Sequence, residues 1–541
     1  RWSERRVDAD APAGDLTHRF GGEQDADASR GAPKMFGLGV LVAQFDERVV
    51  HERMVDDVDR HGPSLYNFSF MRAQRRLAGF PVVAVAAFAL FASTFACAQP
   101  ARRRVSLIVS GGIVVTQNAS HQVFNPGAVV IDGADIVAVD TPQAVAAGYE
   151  GAETIDAQGQ IVLPGLINTH THAPMVLYRG LADDLALMDW LQKYIFPAEA
   201  KTVSPEMVRV GTRLAALEMI ESGTTTYADM YYFEEEIAKA TREAGLRGVL
   251  GQTIIQFPVA DAKTPAEALA RTEAFIKAFK GDPLVVPSVA PHALYTNDRE
   301  TLTAAAALAK KYDVPLITHL AETKDEVDAI RKDHQSTPTE YLESLGLLGP
   351  KTLVAHAVWV SDGDLEILKR RMPGIAHNPE SNMKLASGIA PVTKYLKAGL
   401  PLGLGTDGAA SNNDLDMFEA MRQASFLAKV ATNDPTAVPA RIALDMATIG
   451  GARALGMDKV LGSLEPGKHA DLIAVSLSAA RQTPMYEPVS HLVYVTRGDD
   501  VRTTIVNGKV LMKDRQVRTL NRAAVIADAD KFAEKVRAAV R

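Results

Sequence analysis

Eight short apolar runs, each followed by a segment with helical start signals, constrain this chain more than any other feature. They are the stretch from Ile161 to His170, then "GTTTYADM", "RGVLGQTII", "PLVVPSVAPH", "VPLITHLAE", "KTLVAHAVWV", "GIAHNPES" and "PLGLGTDGA". The intervening segments open as helices do: Ser204 precedes Pro205 and Glu206, and Thr337, Pro338 and Glu340 have capping-box spacing. Strand and helix alternating eight times over about 290 residues matches the length and order of an α/β, TIM-type (β/α)8 barrel. A doubly wound open sheet is the runner-up.

In such a barrel the reactive side chains gather at the C-terminal ends of the strands. His170 and His172 end the first run, His292 the fourth, His319 the fifth, His356 the sixth and Asp407 the eighth. His170 and His172, in "LPGLINTHTHAPM", are two residues apart and so share one face of an extended strand, where their imidazoles can converge on one point. Three imidazoles and one carboxylate around an open position suit a divalent metal that activates water. His170, His172, His319 and Asp407 are the set this reading selects, with Asp407 also placed to accept a proton. Cys97 is the one cysteine, so a Cys-rich site and an intramolecular disulfide are both excluded. Such donors accept zinc or iron; zinc is the first choice.

Alternating runs with Gly and Asp turns also flank the barrel, in "VSLIVSGGIVV" and "GAVVIDGADIVAV" before it and in "GSLEPGKHADLIAV" and "VRTTIVNGKVLM" after it. They predict one small β-sandwich domain built from both ends of the mature chain. The expected organisation is a first β part over 99–162, the metal-dependent barrel over 163–460, and a second β part with a C-terminal helix over 461–541. Residues 71–98 combine a basic start, an apolar stretch and Ala96-Cys97-Ala98, as in a cleavable signal peptide. That reading predicts export, to the periplasm of a bacterium, with no membrane association after cleavage; an uncleaved membrane anchor is the alternative. Residues 1–70 lack sustained periodicity and read as an extension outside the natural protein, with Met71 as the start. A net charge of -7 without a long basic run argues against nucleic acid and for a small-molecule partner. A homo-oligomer is compatible with the sequence.

"PGLINTHTH", "HLAET", "VAHAVWV", "HNPESNMKLASG" and "LGTDGAASNNDLDMFEAMR", in this order, resemble the amidohydrolase superfamily, in the branch of S-adenosylhomocysteine/5'-methylthioadenosine deaminases and chlorohydrolases. "YRGLADDLALMDWLQKYIFPAEAK" looks most like the adenosine-derivative deaminases. The resemblance implies metal ligation by His170, His172, His319 and Asp407. It also implies Glu322 as proton shuttle, His356 as the group that orients the attacking water, Glu199 as the reader of ribose hydroxyls and His292 as a substrate contact. Because His292 stands where binuclear relatives carry a bridging lysine, one metal ion is expected. The implied activity is hydrolytic deamination of an adenosine-type nucleoside: S-adenosylhomocysteine, 5'-methylthioadenosine or adenosine. The alternatives are a related amidohydrolase acting on a free base, a guanine-like compound, a triazine or another heterocyclic amine, and a non-catalytic barrel.

Overall fold

The computed structural model describes residues 101–540; the extension over 1–70 and the apolar segment over 71–98 lie outside the described residues. Eight parallel strands close a barrel: Leu166–Thr171, Thr224–Tyr231, Arg247–Ile254, Val285–Pro291, Leu316–Leu320, Thr352–His356, Gly374–His377 and Leu402–Leu404. The last pairs with the first through Leu404 and Asn168, so the open-sheet alternative is excluded. The second and third strands are buried at every residue, as expected for parallel strands covered on both faces. Small and branched side chains, among them Ala228, Val249, Ala290, Ile317, Leu353 and Ala376, form one buried cluster contributed by six of the strands. The helices form where their start signals stand. Ser204 caps Pro205–Ser222, and Thr337 with Glu340 closes the capping box of Pro338–Ser344.

The letters Gly403-Leu-Gly405-Thr-Asp-Gly408 match a dinucleotide fingerprint, yet these glycines serve the barrel. A Cβ on Gly405 would stand 2.3 Å from Asn378 Oδ1 and 2.9 Å from His170 Cβ, so only glycine lets strand eight lie this close to the first strand.

Two further sheets form a sandwich. Four strands, including Arg103–Ser110 and Ala128–Asp132, make one layer; seven make the other, in which Gln160–Pro164 pairs antiparallel with Leu472–Ser476. Both ends of the described chain therefore build one domain, and Leu107, Val129 and Ile131 meet Val162, Leu472 and Ile505 in its core.

One expectation needs correcting. The apolar run from Ile161 to His170 is not one strand: Gln160–Pro164 belongs to the sandwich and Leu166–Thr171 to the barrel, broken at Gly165. The expected C-terminal helix is Arg522–Val540, and its Val525, Phe532 and Val536 are buried in the cluster that includes the barrel helices. Barrel and sandwich are joined by a buried ion pair. Arg247 Nε of the third strand lies 3.1 Å from Asp471 Oδ2, with side chains 4% and 5% exposed. No helix among the described residues is long and apolar enough to cross a membrane.

Candidate active site

The strand ends bring the predicted histidines together. His170, His172 and His319 offer nitrogen atoms within 4.8 Å of one another, and His170, His356 and Asp407 form a second such group. Asp407 Oδ1 stands 3.5 Å from His170 Nε2 and 3.3 Å from His172 Nε2. Two donors each bound to one tetrahedral ion at zinc distances stand roughly 3.3 Å apart, so this spacing fits a shared metal better than a direct hydrogen bond. The outer nitrogens are tied to the backbone: His172 Nδ1 donates to the Met230 carbonyl and His319 Nδ1 to the His292 carbonyl, each at 2.7 Å. Those bonds fix the tautomer and turn each Nε2 lone pair inward. His170 is 1% exposed and neither ring nitrogen has a hydrogen-bond partner, an orphaned state that a metal would resolve.

Electrostatics agree with a ligand role for two of the three histidines. Burial lowers His170 to about 4 and His319 well below the ordinary range, so both imidazoles are neutral at pH 7. Burial also acts to lower His172, but the Asp407 carboxylate beside its Nε2 raises it to about 9, so this imidazole holds a proton at pH 7 that a bound metal would displace. Asp407 is pushed up by burial yet held well below the usual carboxylate range by His170 and His172. Ser381 Oγ and Ser411 Oγ donate to its Oδ2 at 2.6 and 2.9 Å, and Gly408 N donates to Oδ1 at 2.7 Å. His356 and Asp407 themselves have φ of +71° and +62°, a left-handed conformation that costs energy for non-glycine residues and clusters at functional sites.

Glu322 and His356 face each other across the same cluster, His356 Nε2 lying 3.8 Å from Glu322 Oε2 and 3.9 Å from Asp407 Oδ2. Burial raises the Glu322 carboxyl above its ordinary value, against the opposing pull of His356 and a 3.2 Å hydrogen bond from Ser387. His356 Nδ1 is engaged by Asn382 Oδ1 at 2.9 Å.

His172, His319, Glu322, His356 and Asp407 line one cavity, which Glu199 and His292 also line. Glu199, 7% exposed, accepts a 2.6 Å hydrogen bond from Tyr231 Oη; burial raises its carboxyl to about 7, against hydrogen bonds from Tyr231 and Tyr232 and the His172 charge. His292, lowered to about 3 chiefly by burial, contacts Thr296 through Nδ1 at 3.2 Å and is not a member of either donor group. Among the described residues these two groups are the sole ones of their kind. The cavity wall adds Leu187, Trp190, Leu191 and Phe196, and Trp190 Nε1 is buried with its donor unused.

Sequence reasoning missed the groups that hold the site residues: Ser381, Asn382, Ser387 and Ser411. Three of them lie in "HNPESNMKLASG", whose polar residues just past a strand end were the available signal.

The rest of the chain agrees with known proteins. The 5-methylthioadenosine/S-adenosylhomocysteine deaminase 1 of Syntrophus aciditrophicus (strain SB) is 46% identical over 437 residues, covering 81% of this chain and 99% of that protein. A 5'-deoxyadenosine deaminase of Methanosarcina barkeri (strain Fusaro / DSM 804) is 45% identical over 433 residues, covering 80% of this chain and 98% of that protein. The crystal structure of an adenosine deaminase from Xanthomonas campestris with bound zinc superposes with a TM-score of 0.80 at 37% identity, over 81% of this chain and 100% of that one. Residues 161–511 match the amidohydrolase family, and the chain belongs to it.

Proposed function

We propose that this amidohydrolase hydrolytically deaminates an adenosine-type nucleoside, forming the corresponding hypoxanthine nucleoside and ammonia. One observation carries the reading: the His/Asp donor cluster and the Glu199 carboxylate open into the same cavity. A cluster suited to water activation and a buried acceptor suited to a sugar diol at one address describe a nucleoside better than a free base. Relatives named as 5-methylthioadenosine/S-adenosylhomocysteine and 5'-deoxyadenosine deaminases support the same choice.

His170, His172, His319 and Asp407 would hold one divalent metal, zinc first and iron as the alternative. When bound there, such an ion acts as a Lewis acid that lowers the pKa of water toward about 7. Asp407 accepts the proton that water gives up, while His356 hydrogen-bonds the water and aims it at the amine-bearing carbon. Glu322, whose carboxyl burial biases toward the protonated form, gives its proton to the adjacent ring nitrogen. A carbon–oxygen bond forms, the carbon–nitrogen bond breaks, ammonia leaves with the proton first taken by Asp407, and the new hydroxyl gives its proton back to Glu322 as the carbonyl forms. Glu199 accepts hydrogen bonds from the ribose 2'- and 3'-hydroxyls, and His292 contacts the substrate beside the cluster.

Metal analysis of the purified protein, together with ammonia release from adenosine, 5'-methylthioadenosine, adenine and guanine, tests this reading. It expects close to one metal per chain and release from the nucleosides. Two tightly held metals per chain would overturn the single-ion assignment, and release from free bases alone would overturn the substrate class. Export through residues 71–98 belongs to the same proposal, supported by their basic start, apolar run and Ala96-Cys97-Ala98. A mature chain beginning near Gln99 is expected, and one retaining the apolar run would contradict it.

A further inference from the structure

Strand five ends at Leu320, and the next residue, Ala321, has φ +48°, a left-handed conformation that alanine adopts at a cost. This turn is what sends Glu322 toward the cavity. It is held from both sides. The Ala321 carbonyl accepts from Val358 N and Trp359 N, at 3.1 and 2.9 Å, in the segment after strand six. On the other side, Glu326 Oε1 accepts from Ala321 N at 3.1 Å and Oε2 from Glu322 N at 2.9 Å.

The helix Lys324–His334 does not need this carboxylate as its cap, because Thr323 Oγ1 already accepts from Glu326 N at 3.2 Å. In a capping box the glutamate reaches back to the N–H of the cap residue. Here it reaches further, to the two residues before the cap, and spends both oxygens on them. Burying a carboxylate is costly, so its retention asks for a purpose beyond the helix.

We infer that Glu326 is a positioning residue, whose carboxylate clamps the Ala321–Glu322 turn and so fixes where Glu322 delivers its proton. The inference rests on the proposed role of Glu322. Misplacing a reacting group by about 1 Å can cost roughly 100-fold in rate, and losing one clamp bond of two is expected to cost less than that.

The test compares kcat, KM and metal content of the zinc-loaded full chain as wild type, E322Q, E326Q and E322Q/E326Q, on one adenosine-type nucleoside. E326Q is expected to lose roughly 30-fold in kcat, with KM and zinc content changed by less than about two-fold. The double variant is expected to be no slower than E322Q, because a clamp without its cargo has nothing to position. Wild-type kcat in E326Q, or a double variant whose loss is the product of the single losses, overturns the inference. Wild-type kcat in E322Q overturns the shuttle reading and the clamp with it. Thr323→Ala removes the helix cap and leaves both clamp bonds, so it is expected to lower the melting temperature and keep kcat; a kcat loss equal to that of E326Q would assign the effect to helix integrity. Should E326Q not accumulate as folded protein, E326D, one methylene shorter, carries the same comparison.

Discussion

Replacing Glu199 by Gln separates the cost of a buried acid from its use. Burial raises this carboxyl from about 4.5 to about 7, so between those pH values the folded state holds a proton that the unfolded chain has released. The stability that this proton contributes is complete below pH 4.5 and is lost as pH rises to about 7. A shift of this size corresponds to about 3 kcal/mol. Glu199→Gln keeps the shape and abolishes the titration, so at pH 8 the variant is expected to be more stable by up to about 3 kcal/mol, a rise of about 3 °C in Tm for a chain of this size. Below pH 4.5 the advantage disappears. Catalysis moves the other way: a charge-assisted hydrogen bond contributes about 1.5–3 kcal/mol, so kcat/KM on nucleosides is expected to fall roughly 10- to 150-fold, with activity on adenine nearly unchanged. In the wild type, kcat/KM for nucleosides should climb as pH rises through about 7, where the acceptor form appears. Melting curves at pH 4.5 and 8, with steady-state kinetics on adenosine and adenine, measure all of this. A variant that is less stable at pH 8 would refute the burial cost, and one that loses equally on nucleoside and base would refute the ribose assignment.

Three further outcomes follow from the geometry. His319→Ala removes a donor whose Nδ1 is fixed by the His292 carbonyl, so metal analysis should find zinc strongly reduced and activity lost with it; near-stoichiometric zinc at wild-type rate would remove His319 from the ligand set. Ser381→Ala takes a 2.6 Å donor from Asp407 while leaving Ser411, and chelator competition should show zinc affinity lowered by roughly 10-fold, whereas unchanged affinity would mean that Ser411 and Gly408 suffice. Asp471→Ala strands the Arg247 guanidinium in the interior between barrel and sandwich, and denaturant unfolding should register a loss of about 3–5 kcal/mol; a loss under about 1 kcal/mol would mean that water reaches the pair.

The barrel was legible because its parallel strands are short apolar runs separated by capped helices, and the metal cluster because the period of a strand puts His170 and His172 on one face. The break at Gly165 was not legible. Residues on both sides of it are buried, one group by the sandwich and the other by the barrel, so hydrophobicity does not change across the boundary. The C-terminal helix declares an apolar face but not its partner, and it packs on Pro205–Ser222, with Lys535 pairing Glu206 more than three hundred residues away in sequence. The supporting shell was hidden for a related reason. Ser381, Ser387 and Asn382 are ordinary loop and helix-start residues by composition, and their roles arise only when the segment after strand seven folds over Asp407, Glu322 and His356. Glu326 reads as a helix N-terminal acid, which it also is; its second service to the turn before the helix depends on the left-handed Ala321.

The central claim is that one cavity joins water activation to ribose recognition, and the most direct measurement is the ratio of kcat/KM for 5'-methylthioadenosine to that for adenine, followed as ammonia released by the zinc-loaded protein. The account predicts one ammonia for each hypoxanthine nucleoside formed, a ratio well above one, and collapse of that ratio toward one in Glu199→Gln. Ammonia released from adenine as readily as from the nucleoside, with the ratio unmoved by Glu199→Gln, would contradict it.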